Sequence, residues 1–179
     1  MNTRILVFLS LLVGMGAVLH QVAPPMLLGM KPDLLLVMVF LGIILFPEKK
    51  YVLLVAIVGG VIAALTTTFP MGQIPNVIDK FIAAFAFYGL FKLAPKNLFA
   101  NYSKSLVLAF IGTITAIGII ISGTVFLLAA LLLAGLPDTF TSLFIGVVIP
   151  ATIMGTIAMV IIFPIAQQII RRTKLTVNA

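Results

Sequence analysis

Four charged side chains stand in two short polar stretches of an otherwise apolar chain. Lys31 and Asp33 belong to residues 29–33 (Gly-Met-Lys-Pro-Asp), and Asp79 and Lys80 end residues 69–80 (Phe-Pro-Met-Gly-Gln-Ile-Pro-Asn-Val-Ile-Asp-Lys). They are two of the four acids and two of the eleven bases in the chain. Charges among membrane-length apolar runs cost free energy unless they are paired, hydrated or bound to a ligand. The two stretches therefore predict a site for a polar ligand.

The functional groups of both stretches suit a zwitterion with an apolar side group. We expect Asp33 or Asp79 to hold an ammonium group, and Lys31 or Lys80 to hold a carboxylate. The sequence does not rank the two acids or the two lysines.

Neighbouring residues supply the rest of such a site. Gln73 and Asn76 add amide groups, while Phe69 and Met71 add aromatic and thioether surface for the apolar part of a ligand. Composition alone does not choose among amino acids, vitamins and other small amphiphiles.

Helix capping is a simpler explanation for part of the pattern. Asp33 suits the start of a helix, and Asn76 followed by Asp79 resembles a capping box. Capping does not explain Gln73, nor does it explain Lys80, because a cation in a first helical turn opposes the helix dipole.

The composition places the chain in a membrane. It is 63% hydrophobic and 8% charged, with a mean hydropathy of +1.33, and a soluble domain of this size could not bury so much apolar surface. We expect an all-α polytopic membrane protein with a single transmembrane domain over residues 1–179. Cysteine is absent, and the chain has one histidine, no phosphate-binding loop and no catalytic Ser/His/Asp arrangement. We therefore expect no metal site, no cofactor and no enzymatic activity.

Six apolar runs predict six transmembrane helices. A span needs roughly 20 residues, so the second run is short and the last two are long. We expect bends at Gly112, Gly118 and Gly123 in the fifth run, and at Pro150 and Pro164 in the sixth. The runs cover residues 5–22, 32–47, 51–67, 77–93, 105–134 and 141–170.

The distribution of bases predicts the orientation. With both termini in the cytoplasm, inner segments hold nine of the eleven bases, and the outer loops hold only Lys31 and Lys80. This agrees with the positive-inside rule. Both polar stretches, with residues 135–138 (Gly-Leu-Pro-Asp), then lie on the outer face. No acid is expected deep within a span, which argues against a proton relay.

Two more features have functional interpretations. The loop before Asp33 is expected to form a lid, hinged at Gly29 and at the Pro24-Pro25 pair. Ser10 and Gly14 make a small-x-x-x-small pattern on the first helix, which permits close helix approach. That pattern suits packing inside the bundle or docking of a partner membrane protein.

Motifs along nearly the whole chain resemble those of the bacterial tryptophan transport protein family (TrpP). Residues 69–80 are the most specific part, because twelve ordered positions are hard to match by chance. Six short helices with polar outer loops and no ATPase motif also resemble the substrate-binding S components of energy-coupling factor (ECF) transporters. The motifs are residues 29–33, 46–47 (Phe-Pro), 64–67 (Ala-Leu-Thr-Thr), 69–80, 135–137 (Gly-Leu-Pro), and Pro164 followed by Arg171 and Arg172.

The resemblance implies tryptophan uptake across the bacterial plasma membrane by an S-component-like bundle. It implies a transmembrane coupling protein and two cytoplasmic ATPases as partners, so ATP would be used by separate subunits. The stripe at Ser10 and Gly14 would correspond to the docking surface, although S components usually carry Ala-x-x-x-Ala there. Gln73 and Asn76 would contact the substrate backbone or the indole N–H. The indole ring would lie against Phe69 and Met71.

Two other functions are compatible with the sequence. A solitary secondary carrier coupled to protons or sodium would need no partner, but the short chain and the expected lack of mid-span acids count against it. A structural protein of cell-envelope assembly would bind no small molecule. It would leave residues 73–80 without a purpose beyond capping.

Overall fold

The computed structural model describes residues 2–24, 31–95 and 98–173, and it forms an all-α bundle over these ranges. Five helices are long and apolar enough to cross a membrane, while Leu34–Leu45 forms a shorter apolar helix of 12 residues. The predicted six-helix polytopic fold is confirmed. The main helices are α1 (Thr3–Val22), α2 (Leu34–Leu45), α3 (Lys49–Thr66), α4 (Gln73–Lys92), α6 (Lys104–Leu133) and α8 (Ile149–Thr173); α5 (Leu98–Asn101) and α7 (Phe140–Leu143) are short.

Side-chain caps fix the starts of three main helices. Asn2 accepts a hydrogen bond from the Arg4 amide of α1 at 3.0 Å. Asp33 caps α2 through the Leu36 amide at 2.9 Å, and the Ser103 hydroxyl caps α6. Each cap satisfies an amide that has no partner inside its helix.

The start of α4 differs from the prediction. The helix begins at Gln73 rather than near Val77, with Gly72 in the N-cap position and no side-chain cap. Pro75 is compatible with this start, because the first turn needs no amide from it. The capping-box interpretation of Asn76 and Asp79 is therefore wrong, since both lie inside the helix.

Helix α2 is the buried centre of the bundle. Every residue from Leu35 to Ile44 is buried, as expected for a helix that is apolar on all sides. It packs against α1, α3, α4, α6 and α8. At its middle, the rings of Phe40 and Phe87 stack with centroids 4.0 Å apart and an angle of 4°. Gly118 of α6 faces this pair.

The last helical stretch contains an irregular turn. Residues Phe144–Val148 form a π-helical turn between α7 and α8, so that helical structure is continuous over Phe140–Thr173. The turn ends two residues before Pro150, whose missing N–H disrupts regular α-helical hydrogen bonding. Pro164 lies inside α8.

The beginning of α1 and the end of α8 lie at one end of the bundle, where Thr3, Arg4 and Thr173 line a common groove. The ends of α2 and α4 meet beside α5 at this same end. We call it the basic end, because it carries Arg4, Lys49, Lys92, Lys104 and Arg171. Both ends of the described chain thus share one side, and the cytoplasmic assignment of that side stays a prediction.

Close packing at Gly118 yields a test of the fold. A methyl group at this position would lie 2.7 Å from Phe40 and 2.9 Å from Phe87. We expect Gly118→Ala to destabilise the protein by about 1–3 kcal/mol through overpacking. Gly89→Ala is the matched control, because nothing lies within 4 Å of the added carbon. Thermal unfolding in detergent, followed by circular dichroism, measures both; equal midpoints would contradict the packing.

Candidate functional site

A buried ion cluster joins the two polar stretches. Nζ of Lys80 lies 2.6 Å from Oδ2 of Asp33 and 2.5 Å from Oδ2 of Asp79. Lys80 and Asp79 are each 1% exposed. Both occupy the second turn of α4, whereas Asp33 caps α2. The cluster therefore ties the start of the central helix to α4.

The position of Asp79 corrects the expectation that no acid lies within a span. Because α4 begins at Gln73, the carboxylate of Asp79 is buried inside a membrane-length helix. Its Oδ2 atom contacts Lys80, but its Oδ1 atom is buried with no hydrogen-bond partner among the described residues. An uncompensated buried acceptor is costly, and such groups in membrane spans mark functional sites.

His20 extends the cluster from the end of α1. Its Nδ1 atom lies 3.3 Å from the carbonyl oxygen of Pro32 and 3.8 Å from Oδ1 of Asp33. Nearby, Nζ of Lys31 donates to the carbonyl oxygen of Gln21 at 2.7 Å. These contacts connect the segment before α2 to the end of α1.

A cavity of about 110 Å³ opens beside the cluster. One water molecule needs roughly 10–15 Å³ on the same measure, so the space is several waters in size. Its lining combines polar and apolar residues. The polar members are His20, Lys31, Asp33, Thr67, Thr68, Asp79 and Ser122, and the others are Leu36, Phe69, Ile119, Gly123, Phe126, Leu127, Val147, Val148 and Ala151.

Two aromatic rings form part of the apolar lining. Phe69 and Phe126 pack edge to face, with centroids 5.4 Å apart and an angle of 81°. Phe69 follows α3, and Phe126 belongs to α6, so the contact joins two distant parts of the chain beside the cavity. A flat apolar group can pack against such rings.

Five of the eight candidate binding residues gather at this place. Lys31, Asp33, Phe69 and Asp79 line the cavity, and Lys80 contacts both carboxylates from behind. Their roles towards a ligand stay predictions.

The other three candidates lie outside the cavity lining. Asn76 is buried and donates from Nδ2 to the carbonyl oxygen of Gly72 at 2.9 Å. Met71 is 68% exposed and has a φ of 55° at the turn before α4. Gln73 is exposed as the first residue of that helix. Asn76 therefore helps to hold the start of α4, while Met71 and Gln73 lie at the surface beside it, and the roles of all three towards a ligand stay predictions.

Several lining residues were missed by the sequence-based prediction. Ser122 and Phe126 come from α6, while Val147 and Val148 come from the π-helical turn. They stand inside long apolar runs and carry no local signal. Gly123 was expected to mark a bend. A Cβ atom added at this glycine would lie 2.6 Å from Val148, so the lack of a side chain lets α6 and the π-helical turn approach closely.

The predicted lid and the third outer loop have different outcomes. Residues 25–30, with Pro25 and Gly29, belong to the predicted lid and lie outside the described residues.

In the outer loop at residues 135–138, Asp138 accepts hydrogen bonds from the Ser142 hydroxyl at 2.7 Å and the Thr139 amide at 2.6 Å. These bonds lower the pKa of the Asp138 carboxyl. Asp138 is not part of the cavity lining.

The small-residue stripe on α1 faces outward. Ser10 and Gly14 are exposed, and a methyl group at Gly14 would meet nothing within 4 Å. Packing against other described helices is therefore not the role of these two positions.

Comparison with known proteins identifies the family. The model of the family described as "Tryptophan transporter TrpP" matches residues 2–171. The chain belongs to the TrpP tryptophan transporter family. The resemblance predicted from the motifs is confirmed, and the membrane-length helices make this member a multi-pass membrane protein.

Relatives in the TrpP family cover almost the whole chain. A protein of Bacillus subtilis is 50% identical over 173 residues, covering 97% of this chain and 96% of its own length. A protein of Clostridium acetobutylicum is 42% identical over 171 residues, covering 96% of each. Each is named a probable tryptophan transport protein, which describes a transporter rather than an enzyme. No solved structure matches the chain.

The ion cluster predicts a strong dependence of stability on Lys80. Replacing Lys80 with Met leaves two neighbouring carboxylates without their shared cation. We expect this variant to lose about 3–5 kcal/mol of stability. Lys31→Met is the control, because Lys31 is only partly buried and bonds to one carbonyl. Thermal unfolding in detergent measures both variants.

A second substitution separates charge from packing. Adding Asp79→Asn to Lys80→Met removes one of the two uncompensated carboxylates, so part of the lost stability should return. A Lys80→Met variant as stable as Lys31→Met would contradict the role of the cluster.

Proposed function

We propose that this protein binds tryptophan in the cavity beside Asp79 and mediates its uptake across the membrane. The observation that carries the proposal is that Asp79 lines a cavity walled by Phe69 and Phe126, while its buried Oδ1 atom has no hydrogen-bond partner among the described residues. A substrate ammonium group would supply the missing partner. Membership of the TrpP family supports tryptophan as the substrate.

The contacts of the two acids favour Asp79 for the ammonium group. Both oxygens of Asp33 are engaged, Oδ1 with the Leu36 amide and Oδ2 with Lys80. Asp79 contacts Lys80 through Oδ2, whereas its Oδ1 atom forms no hydrogen bond of normal geometry among the described residues. An ammonium bound there would gain a charge-assisted hydrogen bond in a site shielded from water.

The contacts of the two lysines favour Lys31 for the substrate carboxylate. Lys80 is 1% exposed and already contacts two carboxylates. Lys31 lines the cavity and uses one described hydrogen bond, to the carbonyl oxygen of Gln21. An ammonium has three donors, so Lys31 retains donors for a ligand.

The indole ring is assigned to the apolar side of the cavity. Phe69 and Phe126 would pack against it, and the Ser122 hydroxyl is the proposed acceptor for the indole N–H. Met71, Gln73 and Asn76 are left out of this assignment, because their side chains lie elsewhere.

Energy coupling is the second part of the proposal. We assign the chain the role of an S component that works with a transmembrane coupling protein and two cytoplasmic ATPases. The exposed Ser10 and Gly14 would belong to the docking surface. The small bundle, with both ends of its described chain on one side, supports this assignment.

A solitary ion-coupled carrier is the second candidate. The buried Asp79 carboxylate favours it, since a membrane-embedded acid can carry a proton or bind a cation. The two candidates differ in whether the chain transports tryptophan alone.

Binding to charge-deleted ligands tests the site. Asp79→Asn should weaken tryptophan and tryptamine binding at least about thirty-fold, because it removes the charge that holds the ammonium. Indole-3-propionate, which lacks the ammonium group, should bind Asp79→Asn almost as tightly as it binds the unchanged protein. Lys31→Gln should weaken the binding of tryptophan and indole-3-propionate, the two ligands that carry a carboxylate, and should change tryptamine binding little. Asp138→Asn is the control acid outside the cavity.

The chain itself simplifies the measurement. It contains no Trp, so indole fluorescence in a purified, tag-free sample reports the ligand alone. Unchanged tryptophan affinity in Asp79→Asn, with native thermal stability, would refute the placement of the site.

Uptake into proteoliposomes separates the two candidates. As an S component, the chain should bind tryptophan but accumulate it only when the coupling protein, the ATPases and ATP are present. Accumulation by the chain alone, abolished by an ionophore, would refute the S-component assignment and establish the ion-coupled carrier.

A further inference from the structure

The basic end carries a surplus of positive charge. Of the four acids in the chain, Glu48 alone lies at this end, and it is paired with Lys50 at 2.7 Å. Asp33 and Asp79 contact Lys80 at the other end, and Asp138 lies in the loop before α7. The other cations of the basic end therefore have no acidic side chain left to pair with.

Two of these cations flank a groove between α6 and α8. Lys104 stands at the start of α6 and Arg171 near the end of α8, and both line a space of about 360 Å³. Neither forms a salt bridge within the described part of the chain. Tyr102, Gln167 and Gln168 add hydrogen-bonding groups to the same rim. This chemistry suits a phosphate group.

The floor of the groove is apolar. Val107 and Phe163 are buried beneath the rim. Phe99 from α5 packs its ring against Phe163, with centroids 6.0 Å apart. A polar rim over an apolar floor is the pattern expected where a membrane surface meets the hydrocarbon region.

An apolar furrow continues the groove along the same two helices. It shares Leu108 with the groove and runs past Ala109 and Gly112 to Ala116 on α6, with Val160 on the α8 side. Two threonines interrupt this mostly apolar lining: the Thr113 hydroxyl donates to the Ala109 carbonyl oxygen, and the Thr156 hydroxyl is buried without a partner among the described residues. The nine residues from Leu108 to Ala116 rise about 12 Å along the helix. Small side chains keep the furrow open, so it has the shape to receive an acyl chain.

We propose that the groove and the furrow together bind one anionic phospholipid, its phosphate between Lys104 and Arg171 and one acyl chain along the furrow. Basic pockets between helices at the cytoplasmic membrane face bind anionic headgroups. Phosphatidylglycerol is the probe for this class. The site is separate from the tryptophan cavity and does not depend on the proposed transport function.

Native mass spectrometry of the delipidated full chain in detergent tests the proposal. Phosphatidylglycerol should bind in one-to-one ratio, tighter than phosphatidylcholine with identical acyl chains. The Lys104→Gln, Arg171→Gln double variant should bind it about twenty-fold more weakly, as expected when two cations near an anionic headgroup are lost. Arg4→Gln, Lys49→Gln is the control, because it removes the same charge from the basic end outside the groove.

Two further measurements distinguish a lipid-binding site from a site that binds free phosphate groups. Ala109→Leu, at an exposed position of the furrow, should weaken phosphatidylglycerol binding several-fold without changing charge. Soluble glycerol 1-phosphate should bind far more weakly than the lipid. Equal retention of phosphatidylcholine, an equal loss in the control pair, or equal affinity for glycerol 1-phosphate would each overturn the proposal.

Discussion

The ion cluster of Lys80 with Asp33 and Asp79 is the interaction on which the site depends. It brings together Asp33 and the Asp79-Lys80 pair, which are more than 40 residues apart in the sequence, and it buries Lys80 and Asp79 almost completely. Burying one ammonium and two carboxylates is costly unless each charge has a partner close by. The single lysine serves both acids, so the positions of α2 and α4 are coupled. Asp33 and Asp79 also line the cavity, so the relative positions of α2 and α4 help to determine its shape.

The short central helix explains why there is room for a cavity. Twelve residues rise about 18 Å, well short of the roughly 30 Å of hydrocarbon that longer helices cross. Helix α2 is enclosed by its neighbours along its whole length, and Asp33 and Leu36 at its start line the cavity. Polar backbone at membrane depth is tolerated where it is enclosed by protein or lines a cavity. Residues 31–33 satisfy this condition, with Asp33 capping the helix it precedes.

Much of this fold could be predicted from the sequence, because the bilayer requires long apolar runs and those runs are visible in the residues. The predicted limits of α3 and α6 differ from the observed ones by only one or two residues. The start of α4 was misplaced, since Asn76 and Asp79 match a capping box by spacing alone, whereas Gly72 and Pro75 actually permit the earlier start. The charged half of the cavity was predictable from Lys31, Asp33, Asp79 and Lys80. The apolar half was not, because Phe126 and Val148 look like any other residue of an apolar span until tertiary packing places them.

The charge balance of the site gives a reason why a zwitterion suits it better than an amine or an acid. The cluster of one lysine and two aspartates has a net charge of −1 when all three groups are ionised. In the proposed binding mode, the substrate ammonium at Asp79 neutralises that charge, and the substrate carboxylate neutralises Lys31. An amine without a carboxylate would leave Lys31 unpaired, and an acid without an ammonium would leave the free oxygen of Asp79 unsatisfied. Each mismatch would leave a charge or an acceptor without a partner in a largely buried site, where the free-energy cost of such a group is highest. In the proposed binding mode, selectivity for the α-amino acid group would follow from the cluster together with Lys31, and selectivity for the side chain from the aromatic wall of Phe69 and Phe126.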